Sequence, residues 1–140
     1  MDTSLKGRRA LVCGSTQGIG RAAAIELALL GAQVTLMARD PVKLKAVAAE
    51  LPRPNGQPHD FISADFADPN AVAAAVKPHI DATRPFHILI NNTGGPKGGP
   101  AHAANPEDFA AAFRMHVLTN QVLVQALLPG AAVAATVLGR

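Results

Sequence analysis

The fold turns on Ala10-Leu11-Val12-Cys13-Gly14-Ser15-Thr16-Gln17-Gly18-Ile19-Gly20-Arg21. Ala10–Cys13 is a short unbroken apolar run, the pattern of a strand covered on both faces of a parallel sheet. Three glycines follow it, and an alanine-rich helical pattern opens at Arg21. Gly14 suits the tight turn from strand to helix. Gly18 and Gly20 let the backbone and the helix N-terminus approach a pyrophosphate, whose charge the helix dipole and free N–H groups stabilise. A glycine triplet alone says little, but the strand–turn–helix setting makes it a dinucleotide-binding loop. Gly14, Ser15, Thr16, Gln17, Gly18, Ile19 and Gly20 are its candidate contact residues. The spacing is G-x-x-x-G-x-G rather than G-x-G-x-x-G.

Outward from the loop, strand-like runs alternate with helical patterns. Strands are expected at Ala10–Cys13, Gln33–Met37, His59–Ser63 and His87–Ile90, and helices at Arg21–Leu30, Pro41–Leu51, Pro69–His79 and Pro106–Leu128. Three helices open with Asp40-Pro41, Asp68-Pro69 and Asn105-Pro106. An Asx side chain caps free N–H groups, and proline at the first helical position loses no hydrogen bond. Gly31 serves as the C-cap of the first helix. This βαβαβαβα order is that of a doubly wound parallel α/β sheet, Rossmann-like, with about four strands and one domain over residues 1–140.

Composition narrows the function classes. The 140 residues carry 13 Lys+Arg against 10 Asp+Glu, a net charge of +3, with 4% aromatics. The basic residues are scattered, so no nucleic-acid surface is expected. One cysteine excludes an intramolecular disulfide framework and a cysteine-based zinc cluster. Cys13 reads as a small buried residue, not a reactive thiol. His59, His79, His87 and His102 have no partner at metal-ligand spacing and are expected to be structural or surface residues. The uncharged stretch between Arg114 and Arg140 is broken by His116, Asn120, Gln121, Gln125 and Pro129-Gly130. A membrane span is not expected there, and a cytoplasmic protein is.

The chain resembles the short-chain dehydrogenase/reductase family. The loop matches that family's T-G-x-x-x-G-x-G pattern with Cys13 in place of threonine. Asn91-Asn92-Thr93-Gly94 resembles its N-N-A-G with Thr93 for alanine, and Asp65 stands where the family has an aspartate near the adenine ring. The continuation through Gly95-Pro96 is similar to the 3-oxoacyl-carrier-protein-reductase-like subgroup. The resemblance adds Asp65, Phe66, Asn92, Thr93 and Gly94 to the candidate cofactor residues. Taken alone, Asn91 and Asn92 also suit a turn, and Asp65 a turn cap.

The second strand sets the expected cofactor. Ala38 occupies the place where an acidic residue would bind the adenosine ribose, so no carboxylate repels a 2′-phosphate there. Arg39 follows and offers that phosphate a planar, permanently charged partner. NADP(H) is therefore expected. Asp40 is the rival acid, but its place before Pro41 is that of an N-cap.

Family members protonate the nascent alkoxide with a tyrosine whose pKa a lysine four residues later lowers, while a serine orients the carbonyl. A phenol near pKa 10 needs such a neighbouring cation to act at neutral pH. This chain has no tyrosine. The missing groups belong to the family's fifth strand and following helix, so the chain is expected to end before the catalytic half, with its fourth strand as an open edge. Gly139-Arg140 resembles the pair that introduces that fifth strand. His116 falls at the family's catalytic asparagine position, with Asn120 one turn on. The blander role for His116, one packing hydrogen bond on an apolar helix, is the favoured one. Lys97 in the loop Gly94–Pro100 is a possible substrate contact. Three readings stay open: the N-terminal part of an NADP-dependent reductase, a non-catalytic nucleotide-binding module, or an interaction protein that self-associates through helix 106–128.

Overall fold

Residues 3–80, 84–95 and 98–128, and the backbone of 135–136, are described by a computed structural model. Pro96, Lys97, Pro129, Gly130 and Gly139-Arg140 lie outside the described residues.

Alternation along the first strand, β1 (Arg9–Cys13), builds both layers of the molecule. Successive strand side chains point to opposite faces. Leu11 and Cys13 therefore enter one core, with Met37, Ile62, Phe86, Leu89, Leu123 and Leu127. Val12 enters the other, with Ala24, Ala28, Val34, Leu36, Leu44 and Ile90. β1 lies at the centre of a parallel sheet, between β2 (Gln33–Ala38) and β4 (Ile88–Asn91). β3 (Asp60–Ser63) pairs with β2 at one edge. Helices α1 (Gly18–Leu29) and α2 (Pro41–Glu50) cover one face of the sheet. α3 (Pro69–Val76) and α5 (Thr119–Leu127) cover the other.

The sheet has one strand more than expected. A two-residue β5 (Ala135–Thr136) runs parallel to β4, pairing Ile90 with Ala135 and Asn91 with Thr136, in the order β3-β2-β1-β4-β5. The C-terminal end of β4 is thus paired rather than open. The alanine-rich sequence there has weak strand propensity, so backbone pairing and not pattern forms the element.

Helix punctuation follows the expected chemistry. The Asp40 carboxylate accepts from the Val42 and Lys43 N–H groups at 3.0 and 3.1 Å. Asp68 does the same for Asn70 and Ala71. At α4 (Pro106–Phe113), the Asp108 carboxylate reaches back to the Asn105 N–H. Gly31, at φ 95°, closes α1 with its N–H on the Ala28 carbonyl. The third helix tightens to a 3-10 turn at Lys77–His79, because Pro78 has no N–H to continue the α ladder.

Helix 106–128 is not continuous. A π turn over Arg114–Leu118 separates α4 from α5, with the Thr119 N–H bonded to the Arg114 carbonyl. The Thr119 hydroxyl donates to the Phe66 carbonyl at 2.8 Å, and Asn120 Nδ2 donates to the His116 carbonyl. Thr119 Oγ1 also lies 3.1 Å from the Arg114 carbonyl, so with Asn120 it serves two carbonyls that the wide turn leaves poorly satisfied. The two halves differ in burial as well. α5 buries Thr119, Leu123 and Leu127, whereas no residue of α4 is buried. The expectation of one continuous helix over Pro106–Leu128 is corrected accordingly.

Candidate functional site

At the C-terminal ends of the strands lies an open cleft of about 470 Å³. The loop after β1 supplies Gly14, Thr16, Gln17, Gly18 and Ile19; the end of β2 and the start of α2 supply Ala38, Arg39, Asp40 and Lys43. Phe66 enters from beyond β3, and Asn92, Thr93, Gly94 and Gly95 from beyond β4. Most of the candidate residues thus share one surface. Lys43 and Gly95 join them without having been singled out. Lys43 had a legible signal, since it lies one turn past Arg39 at the start of a helix.

Three candidates stand elsewhere. Ser15 is fully buried and turned away, its Oγ accepting from the Met37 N–H at 3.1 Å. The Gly14 N–H donates to the Met37 carbonyl at 2.8 Å, so the loop is stitched twice to β2. Gly20 is also buried. A Cβ on it would overlap the Gly14 carbonyl oxygen and stand 2.7 Å from Asn92 Nδ2. Its smallness serves packing inside the loop. Asp65 is exposed outside the cleft lining, its carboxylate accepting from the Ala67 N–H at 3.0 Å. That is the turn-cap role left open for it.

Gly18 differs from Gly20. It has φ 56°, a left-handed conformation that side chains disfavour, and nothing lies within 4 Å of where its Cβ would be. It opens α1, whose N-cap residue Gln17 makes no side-chain capping bond, in contrast to the Asp-capped α2 and α3. The first N–H groups of α1 are therefore left for a ligand or water.

Asn92 locks the floor. Its Nδ2 donates to the carbonyls of Cys13 and Gly14 at 3.4 and 3.3 Å, joining the loops after β1 and β4. Burial pushes the Cys13 thiol up to about 12, slightly opposed by its bond to the Asn92 backbone. Such a thiol is not a nucleophile at neutral pH. Thr93, also buried, places its Oγ1 2.9 Å from Nδ1 of His116 on the π turn. His116 thus makes the single packing hydrogen bond expected of it, and makes it to the wall of the cleft. His59 and His87 stand away from the cleft, each accepting a backbone N–H at Nδ1, from Val34 and Arg9 respectively. Among the described residues, no three His, Cys, Asp or Glu side chains gather as a metal site.

A family model described as short chain dehydrogenase matches residues 8–135. The chain belongs to the short-chain dehydrogenase family. It is similar to D-erythrulose reductase of Gallus gallus, 35% identical over 94% of this chain and 53% of that protein. Among solved structures, L-sorbose reductase from Gluconobacter frateurii, complexed with NADPH and L-sorbose, has a TM-score of 0.83 at 30% identity. That match covers 93% of this chain and 49% of the other. A 3-oxoacyl (acyl-carrier-protein) reductase from Agrobacterium tumefaciens C58 with NADP bound has a TM-score of 0.80 at 29% identity, over 92% of this chain and 49% of that one. The chain spans about half the length of these short-chain dehydrogenase relatives. Among the described residues, no helix is long and apolar enough to cross a membrane.

Proposed function

We propose that residues 1–140 form the cofactor-holding part of an NADP(H)-dependent short-chain dehydrogenase/reductase, and that the protein they belong to interconverts a carbonyl and an alcohol. One observation carries this reading: the uncapped N-terminus of α1, with open space over Gly18, lines the same cleft as Arg39. The N–H groups of the first turn hold the pyrophosphate, and Arg39 with Lys43 holds the 2′-phosphate. Phe66 borders the adenine; Thr93 and Gly94 line the other end. A bound nicotinamide supplies the hydride.

The proton has no such source within these residues. The sequence contains no tyrosine, and His116 Nδ1 is engaged by Thr93. The chain by itself therefore binds NADPH without using it. D-erythrulose and L-sorbose, the ketoses named for two relatives, are the first substrates to try. Fluorescence titration should show saturable NADPH binding, with no consumption of NADPH when either ketose is added. Turnover near that of a full-length relative would overturn the division of labour; absence of binding would overturn the cofactor reading.

A second role has its own support. α4 has no buried residue, and its Phe109 and Phe113 are 59% and 55% exposed. Helix 106–128 is the surface through which the chain self-associates, with neither a membrane nor a nucleic acid as partner. A cytoplasmic location is part of the same proposal.

A further inference from the structure

A second cavity, of about 380 Å³, opens at the opposite edge of the sheet. It lies at the N-terminal ends of β1, β2 and β4, about 16 Å of strand away from the nucleotide cleft, and shares no lining residue with it. Arg8, Arg9, Arg84 and His87 converge on it, with Gln33 and Gln57 beside them, and none of its described lining residues is acidic.

Arg84 and His87 are held in place before any ligand arrives. Arg84 Nη2 donates to Gln33 Oε1 at 2.8 Å, which orients its guanidinium. Arg9 is spent on structure: its head donates to the carbonyls of Arg84 and His79 and lies 4.2 Å above the Phe86 ring. That fixes the backbone on which Arg84 sits. His87 accepts the Arg9 N–H at Nδ1, 3.0 Å, so its neutral ring carries the proton on Nε2 and offers a donor. Burial and then the charges of Arg8 and Arg9 hold the His87 pKa below its ordinary value, a mark of the positive field there.

We propose that this cavity is a second anion site, taking the phosphoryl group of a small phosphate ester on Arg8, Arg84 and His87. Two guanidinium forks and an imidazole N–H, arriving from the segments that enter β1 and β4, suit a tetrahedral dianion better than a planar carboxylate. The site is distinct from cofactor binding and does not depend on it.

The test is site-specific NMR on the full chain titrated with inorganic phosphate, following the His87 ring protons and, separately, the Gly18 amide. The expected result is a saturable His87 shift with a rise in its apparent pKa, because a neighbouring anion favours imidazolium. The Arg8→Gln/Arg84→Gln variant should bind at least tenfold more weakly, with an unaltered amide spectrum elsewhere. Arg8→Gln alone gives an intermediate loss if the double variant is poorly folded. No saturable shift at His87, a shift the variants leave unchanged, or tighter binding of succinate than of phosphate would each overturn the proposal.

Discussion

Thr93 Oγ1 lies 2.9 Å from His116 Nδ1, tying the loop after β4 to the π turn between α4 and α5. Thr93 itself is buried, so water does little to replace the bond when it is lost. Thr93→Val should cost about 1 kcal/mol of stability and weaken NADPH binding, because the cleft wall loses its tether. Thr93→Ser should retain both. Urea unfolding checks this, and a Thr93→Val variant as stable as the parent would contradict it.

Gly18 and Gly20 separate function from packing. Gly18→Val should abolish nucleotide binding while leaving a folded chain, since its side chain would project into open cleft space at a strained φ. Gly20→Val should unfold or strongly destabilise the chain, because its side chain meets the Gly14 carbonyl and the Asn92 amide. Calorimetric titration alongside thermal melts distinguishes them. Equal behaviour of the two variants would sink the assignment.

Acid should destabilise the chain through two histidines. Burial lowers the pKa of both His59 and His87; nearby arginine charges, Arg53 for the first and Arg8 and Arg9 for the second, act in the same direction. A depressed folded pKa means the unfolded chain takes up protons first. The stability is fully present above the ordinary histidine pKa and is lost as pH falls through the depressed folded values. Protonation also removes the Nδ1 acceptors that pair with the Val34 and Arg9 N–H groups. The melting temperature should fall in mildly acidic buffer, and His59→Gln/His87→Gln should flatten the profile. A profile unchanged by the double substitution would rule out this origin.

The exposed phenylalanines of α4 predict a concentration-dependent assembly. Light scattering should show oligomers for the parent chain and a monomer for Phe109→Ser/Phe113→Ser. Both side chains are more than half exposed, so the substitutions should leave the fold intact. A parent chain that stays monomeric at high concentration would contradict the proposed interface.

The alternation of short apolar runs and capped helices was legible because local chemistry decides it: Asp40 and Asp68 sit before prolines, and Gly31 follows the first helix. The glycine loop was legible as a unit but not in its parts. That Ser15 turns inward to Met37, and that Gly20 packs on Gly14, depend on how the loop folds back on β2. The π turn was hidden because the apolar pattern runs on through it, and the Thr119–Phe66 bond beside it joins residues far apart in sequence. The roles of His59 and His87 were hidden for the same reason. Each completes a strand end by accepting a backbone N–H from a neighbouring strand, which no periodicity records.

In the proposed function, Arg39, beside a carboxylate-free Ala38, reads the 2′-phosphate of the cofactor. The direct measurement is a pair of calorimetric titrations, NADPH and NADH, into the parent chain and into Arg39→Ala. A charge-assisted contact of about 1.5–3 kcal/mol corresponds to a preference for NADPH of roughly tenfold to a hundredfold, and Arg39→Ala should erase most of it without weakening NADH. Equal affinities in the parent chain, or tighter binding of NADH, would contradict the account.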